Sequence, residues 1–167
     1  MGYVHDTHTS IYIPPTFMLP YGAEWTEDRG TVPGTIAKCR AADPVTSQLY
    51  IPITAFSNTS SNKGSLLKSI EVDYENKISP CVSVTLTLTK ITRGVEGAPN
   101  VVSAIPISVN LSGANSVTVQ KHKIIGTVTT PAYILNTEYY IAVLEIAGDL
   151  TGTTYVHCAV ANITFRA

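Results

Sequence analysis

Residues 69–91 read SIEVDYENKISPCVSVTLTLTKI, and this run leaves few folds open to the chain. Ile70, Val72 and Tyr74 alternate with Ser69, Glu71 and Asp73; further on, Val82, Val84, Leu86 and Leu88 alternate with Ser83, Thr85, Thr87 and Thr89. Successive strand side chains point to opposite sides, so period two gives one apolar face and one wet face. The β-branched Val and Thr suit a pleated strand better than a helix. The polar break at residues 75–80 contains Asn76, Lys77 and Pro80 and predicts that the two runs pair as an antiparallel hairpin.

The length of 167 residues suits one domain with a full core. Charged residues make up 14% of it, against a usual share of about 25%. Thr, Ser, Asn, Gly and Pro fill the gap, a surface typical of extracellular or particle-borne β proteins. The net charge of −1, with no basic cluster beyond Lys121-His122-Lys123, argues against nucleic-acid binding, which needs many cationic contacts to phosphate. No apolar run approaches the roughly 20 residues that span a bilayer. The opening MGYVHDTHTS has neither an apolar signal core nor a myristoylation pattern. Cys39, Cys81 and Cys158 are odd in number and widely spaced; they read as small buried residues, with a Cys81–Cys158 bridge left open.

In chain order, residues 1–10 read as a polar arm, and residues 10–13 as a short strand stopped by Pro14-Pro15. Residues 21–34 form a long loop carrying Tyr21 and Trp25; such loops are usually functional or laid over a partner. Residues 35–39 and 48–53 are expected as strands, with Pro52 marking the second as an edge strand or a strand end. Loops follow at 56–64 and 92–100, with a weak strand at 101–109. Residues 117–128 read as a strand pair or one long bent strand, and residues 130–137 as a connector.

Residues 138–147 and 153–165 are apolar on both faces. The first places Tyr139, Ile141 and Val143 opposite Tyr140, Ala142, Leu144 and Ile146; the second places Val156, Cys158 and Val160 opposite Tyr155, Ala159, Ala161, Ile163 and Phe165. The density of Tyr, Ile and Val favours strand over helix in both. An antiparallel strand with one wet face alternates cleanly, so something must cover the second face here. Short strands with regular turn signals and no long helical pattern predict an all-β fold. The expected architecture is an antiparallel β-sandwich, with a jelly roll favoured. Residues 1–34 would form an extended N-terminal arm and loop, and residues 35–167 a single sandwich domain.

No nucleophile elbow, zincin, phosphate-loop, dinucleotide or paired-cysteine zinc motif is present, so no enzyme, metal site or cofactor is expected. His5, Asp6 and His8 are metal-capable side chains on a terminal segment, where a polar leader is the commoner use. Glu71, Asp73 and Glu75 share one strand face; a solvated stripe that discourages unwanted pairing is favoured over a Ca²⁺ site. Trp25 and Tyr21 are the candidates for stacking on a sugar ring, although aromatics more often lie at a core edge or an interface. Sequons at Asn58, Asn110 and Asn162 carry little weight without a secretion signal, and His122 and His157 read as structural histidines.

The order of pieces resembles a group of structural proteins carried on tailed-bacteriophage particles. The resemblance lies in the polar leader running into Ser10-Ile11-Tyr12-Ile13-Pro14, the strand Leu49-Tyr50-Ile51-Pro52-Ile53, the run from Ile70 to Leu88, and closing strands from Tyr139 to Ile146 and from Tyr155 to Phe165. It implies a jelly-roll or related sandwich, often trimeric, on a capsid or tail surface, and transfers no functional residue. The expected function is that of a non-enzymatic virion surface component, a capsid decoration or cement protein, assembled in the host cytoplasm. Its partners would be copies of itself, with a trimer favoured, and capsid or tail proteins; neither nucleic acid nor membrane is expected. Interface candidates are Phe17, Trp25, Tyr139, Ile141, Val143, Tyr155, Ile163 and Phe165. The competing reading is the receptor- or carbohydrate-binding head of a phage tail fibre, using Trp25, Tyr21 and the loop at 92–100.

Overall fold

A computed structural model describes residues 6–22, 25–29, 37–40, 45–54, 64–111, 117–148 and 151–166; the side chains of Cys39, Arg40, Leu111 and Arg166 lie outside the description. The strands are β1 (Asp6–Ile13), β2 (Leu19–Tyr21), β3 (Trp25–Asp28), β4 (Ala37–Arg40), β5 (Thr46–Ile53) and β6 (Ser65–Lys77), followed by β7 (Ser83–Thr92), β8 (Val101–Ile105), β9 (Ile107–Leu111), β10 (Lys121–Val128), β11 (Glu138–Ala147) and β12 (Thr153–Arg166). A single 3-10 turn, Pro15–Phe17, separates β1 from β2.

The strands form two antiparallel sheets. The seven-stranded sheet runs β3-β4-β12-β6-β10-β9, with β1 also paired to β12; the five-stranded sheet runs β2-β5-β11-β7-β8. Without the added edge strands, the orders are β4-β12-β6-β10 and β5-β11-β7-β8. That nesting of two Greek keys is a jelly roll, so the expected all-β sandwich and its favoured variant are both seen. Between the sheets lie Leu49, Ile51, Ile70, Val72, Tyr74, Leu86, Leu88, Ile124, Leu144, Ile146 and Ile163, all buried.

The expected hairpin between the runs at 69–75 and 82–89 does not form. β6 pairs with β10 and β12, whereas β7 pairs with β11 and β8 in the opposite sheet. The connection lacks a tight hairpin turn. Ile78 takes a left-handed φ of 73°, Ser79 N donates to Lys77 O at 2.9 Å, and Val82 N is captured by Ala147 O at 2.8 Å on the far sheet. Pro80 contributes no amide donor, and the chain crosses the end of the sandwich.

The N-terminal segment expected as an arm is extended, but it is built into the sheets. β1 runs the length of the second half of β12, from Asp6 opposite Arg166 to Ile13 opposite Ala159. β4 covers the first half of the same edge, at Thr154, Tyr155 and Val156. Trp25 to Asp28, expected within a long loop, form β3 against β4. β2 caps β5 at Gln48, Leu49 and Tyr50 only, which leaves Pro52 on an uncapped stretch of edge, where a residue without an N–H is tolerated. Pro106 splits the weak strand at 101–109 into β8 in one sheet and β9 in the other.

The two-sided character of the closing strands has two separate causes. In β11 the strand is regular: Tyr140, Ala142, Leu144 and Ile146 are buried, while Tyr139, Ile141 and Val143 face outward and are only partly covered. In β12 the register shifts between Val156 and Cys158. That bulge at His157 exchanges the faces, so Val156, Ala159, Ala161 and Ile163 all point inward, and Cys158 shares the outer face with Tyr155. The face assignment expected for 153–165 is therefore corrected beyond residue 157. Cys81 is buried and Cys158 half-buried, and both are free thiols, so they form no bridge.

Candidate functional site

The outer face of the five-stranded sheet can be read row by row, because directly opposed residues of an antiparallel ladder share a face. One row is Tyr21, Gln48, Glu145, Thr85. The next is Leu19, Tyr50, Val143, Thr87. A third is Pro52, Ile141, Thr89, Ala104, and a fourth Tyr139, Ile91, Val102. A shallow depression of about 320 Å³ lies among Gln48, Tyr50, Thr87, Thr89, Ile91, Val102, Ile141 and Val143.

Two properties define this face. It is apolar along its middle, on β5 and β11, with a ladder of threonine hydroxyls beside it on β7. It also carries one carboxylate in these four rows, and that group is tied down: Gln48 Nε2 donates to Glu145 Oε2 at 2.8 Å, and Tyr50 Oη donates to Gln48 Oε1 at 3.0 Å. Tyr21, 66% exposed, stands edge-on to Tyr50 with ring centroids 5.8 Å apart.

Beside this face is a second apolar feature, where the chain passes from β1 to β2. Ile11, Tyr12, Ile13, Thr16, Phe17, Leu19, Pro52 and Thr54 line a cleft of about 430 Å³. Tyr12, Phe17 and Leu19 at its rim are each more than half exposed. Pro14 and Pro15 set this corner: Phe17 N and Met18 N donate back to their carbonyls, and Met18 is buried while Phe17 projects.

The outer face of the seven-stranded sheet has the opposite chemistry. Lys123 Nζ donates to Glu71 Oε2 at 2.9 Å and lies 3.8 Å from Asp73 Oδ1. Asn162 Nδ2 donates to Glu71 Oε1 at 2.7 Å, and Ser10 Oγ donates to Asn162 Oδ1 at 2.6 Å. His157 Nε2 sits 3.1 Å from Glu75 Oε2. The hydrogen bond from Lys123 holds Glu71 below the usual carboxylate range, against the opposing effect of burial. Cys158 Sγ donates to Asp73 Oδ2 at 3.2 Å; burial first, and then that carboxylate, push its pKa up to about 12. A thiol so placed stays protonated and is a poor nucleophile near neutral pH. In the acidic stripe at 71, 73 and 75, Lys123 thus pairs with Glu71 and Asp73, and His157 hydrogen-bonds Glu75. Among the described residues no group of three or more His, Cys, Asp or Glu side chains is set to hold a metal ion.

The structure separates the side chains singled out from sequence. Tyr21 lies on the five-stranded face, whereas Trp25 is in the other sheet and 6% exposed, so its ring offers no open platform for a sugar. Tyr139, Ile141 and Val143 come together with Tyr21 on one face. Ile163 is a core residue, and with Trp25 it is removed from the exposed candidates. Phe17 belongs to the cleft. Tyr155 lies on the polar sheet under Lys77 Nζ, 4.4 Å from its ring centre, and Phe165 is half-buried opposite Thr7 and Ser65. His5 and Asn58 fall outside the described residues. His8 bonds Thr164 at 3.0 Å, and His122 is buried against Tyr74 with Nε2 2.8 Å from the Thr118 carbonyl, a satisfied structural histidine. The Asn162 amide is engaged with Ser69 and Glu71 and offers no free glycosylation acceptor. Gln48 and Tyr50 were not singled out, although their alternation with the buried Leu49 and Ile51 was there to find them.

No protein-family model matches the sequence, and no curated protein matches it. Among solved structures the chain is similar to a family two carbohydrate esterase from Cellvibrio japonicus, at 6% identity and TM-score 0.46, covering 98% of this chain and 36% of that one. It is also similar to the CBM22-1–GH10 modules of Clostridium thermocellum endo-1,4-beta-D-xylanase 10B complexed with xylohexaose, at 9% identity and TM-score 0.42, covering 92% and 27%. A third is the enzymatically active domain of bacteriophage CBA120 tailspike protein 4, at 8% identity and TM-score 0.30, covering 94% and 19%. The chain spans little more than a third, or less, of each of these proteins.

Proposed function

We propose that this chain is a non-catalytic structural subunit of a particle surface, a capsid decoration or cement protein, that associates with copies of itself through the outer face of its five-stranded sheet. One observation carries the reading: that face presents Tyr50, Ile91, Val102, Tyr139, Ile141 and Val143, with a single carboxylate that is held by the Gln48 amide. Covering such a face returns about 25 cal/mol per Å² of apolar area before the costs of association are subtracted. Depletion of charge at the centre of a patch, with aromatics retained, is the compositional mark of an interface.

Sedimentation velocity of the purified chain over a range of concentrations tests this. The wild type is expected to associate, and Ile141→Lys to lower its mass while leaving the thermal midpoint within a few degrees. A wild type that stays a single chain at the highest concentration, and that does not sediment with any particle, overturns the reading.

The second reading, a glycan-binding head, is favoured by a different detail. The Tyr21–Tyr50 pair stands beside the oriented amide of Gln48 and the hydroxyl of Thr87, which together offer ring faces and neutral hydrogen-bonding groups. Binding on a glycan array that disappears in Tyr21→Ala supports it; no binding to any glycan removes it.

A further inference from the structure

Between Glu96 and Lys121 the chain carries no charged side chain. This stretch contains β8, the last strand of the five-stranded sheet, which pairs with β7 along one side and has no partner along the other among the described residues. An open edge presents unpaired N–H and C=O groups, and proteins usually blunt it with charge, proline or brevity. Three of the other edges show those devices. β1 carries Asp6 and His8, β2 is three residues long with Pro20 at its centre, and β3 carries Glu27 and Asp28. β9 is an uncharged edge as well, but it ends the other sheet, whose outer face is polar, and so does not continue the apolar face. β8 reads VVSAI, with Val101 and Val102 exposed at 61% and 65%.

The geometry points to β8 as a seam between two copies of this chain, paired antiparallel about a two-fold axis at Ser103. This rests on the self-association proposed above and adds a second contact to it, at the edge of the sheet beside the face. In that register Val101 of one copy faces Ile105 of the other, and Val102 faces Ala104. An isologous contact sets residue i against j and j against i, so a strand without charge meets no like charge in a second copy of itself. Ladder hydrogen bonds supply the affinity in such strand addition. Val102 and Ala104 also belong to the apolar outer face. Pairing there joins the two faces into one continuous surface across ten strands, twice the five of a single copy.

Charge reversal across the seam is the test, read by sedimentation velocity. Val102→Lys/Ala104→Lys places lysines opposite lysines, and Val102→Glu/Ala104→Glu places acids opposite acids. Each double variant alone is expected at a lower mass than the wild type, and an equimolar mixture is expected to regain the wild-type mass. Should a double variant not fold, Ala104→Lys alone, at an exposed position, is expected to lower the paired fraction at least tenfold. Double variants that keep the wild-type mass, or a mixture no heavier than its separate components, overturn the seam. If the wild type still associates and Ile141→Lys still weakens it, only the seam is lost; a monomeric wild type removes both proposals.

Discussion

Thr154 Oγ1 donates to Asn76 Oδ1 at 2.9 Å, in a buried contact between β12 and β6. The other end of the same amide reaches the carbonyls of Val117 and Thr118, at 3.1 and 3.2 Å, and the thiol of Cys81 at 3.3 Å. One side chain therefore ties the end of the central strand to its neighbour and to the approach to β10.

Removing that amide strands several buried groups. Asn76→Ala is expected to cost about 2–3 kcal/mol, measured by urea denaturation. Asn76→Asp is expected to cost more, because a carboxylate then faces two carbonyl oxygens. Equal or smaller loss in the aspartate variant would show that the amide donates nothing of consequence.

Ile78 is held at φ 73° and is largely exposed. A β-branched residue pays in steric strain in the left-handed region, on the order of 1–2 kcal/mol. Ile78→Asn is expected to stabilise the fold by about 1 kcal/mol, seen as a higher denaturation midpoint with an unchanged slope. A lower midpoint contradicts the strain.

The Glu71–Lys123 pair sets a pH window. Glu71 is held below its ordinary value of 4.5, so its contribution is present above 4.5 and is lost as pH falls through the lower folded value. Lys123 is raised above its ordinary 10.5, chiefly by the hydrogen bond to Glu71, so its contribution is present below 10.5 and is lost as pH rises through the folded value. Both groups are partly exposed, and solvent screening limits the pair to about 0.5–1 kcal/mol. Lys123→Met is expected to remove that increment at pH 7 and to move acid unfolding to higher pH. Identical acid midpoints for the two proteins would show the pair to be inert.

Cys158 should alkylate slowly. A pKa near 12, against an ordinary 9.0, leaves little thiolate at pH 8; greater intrinsic nucleophilicity recovers only part of the loss, so iodoacetamide is expected to react roughly tenfold to a hundredfold slower than with a free thiol. With Cys39 and Cys81 replaced by serine, Asp73→Asn is expected to speed the reaction, because it removes the carboxylate that raises the thiol. Mass spectrometry of timed aliquots gives both rates.

Much of the sandwich was written in the period of the sequence. The alternation of Ile70, Val72 and Tyr74 with Glu71, Asp73 and Glu75 placed the core and the acidic stripe correctly, and so did that of Tyr140, Ala142 and Leu144 with Tyr139, Ile141 and Val143. Pairing was less legible. Closeness in sequence made β6 and β7 look like a hairpin, but the missing turn residues send them to different sheets. A one-residue bulge at His157 leaves composition untouched and still exchanges every later face of β12. β1 has a polar DTHTS start with no apolar rhythm, because its place is fixed by backbone pairing along β12. Of the site, the outward residues of β11 could be read from their own strand. Their company could not, because Tyr21, Gln48 and Val102 reach them only through the ladder registers.

The lateral pairing of β1 with β12 also orders events on the ribosome. Vectorial synthesis delivers Asp6 to Ile13 before the other described strands and Ala159 to Arg166 after them, so β1 waits for its mate while the intervening strands are made. Closing so long a loop is entropically late. Until β12 emerges, β6 lacks one neighbour, and a truncated nascent chain displays the half-built sheet to any other chain that offers a strand.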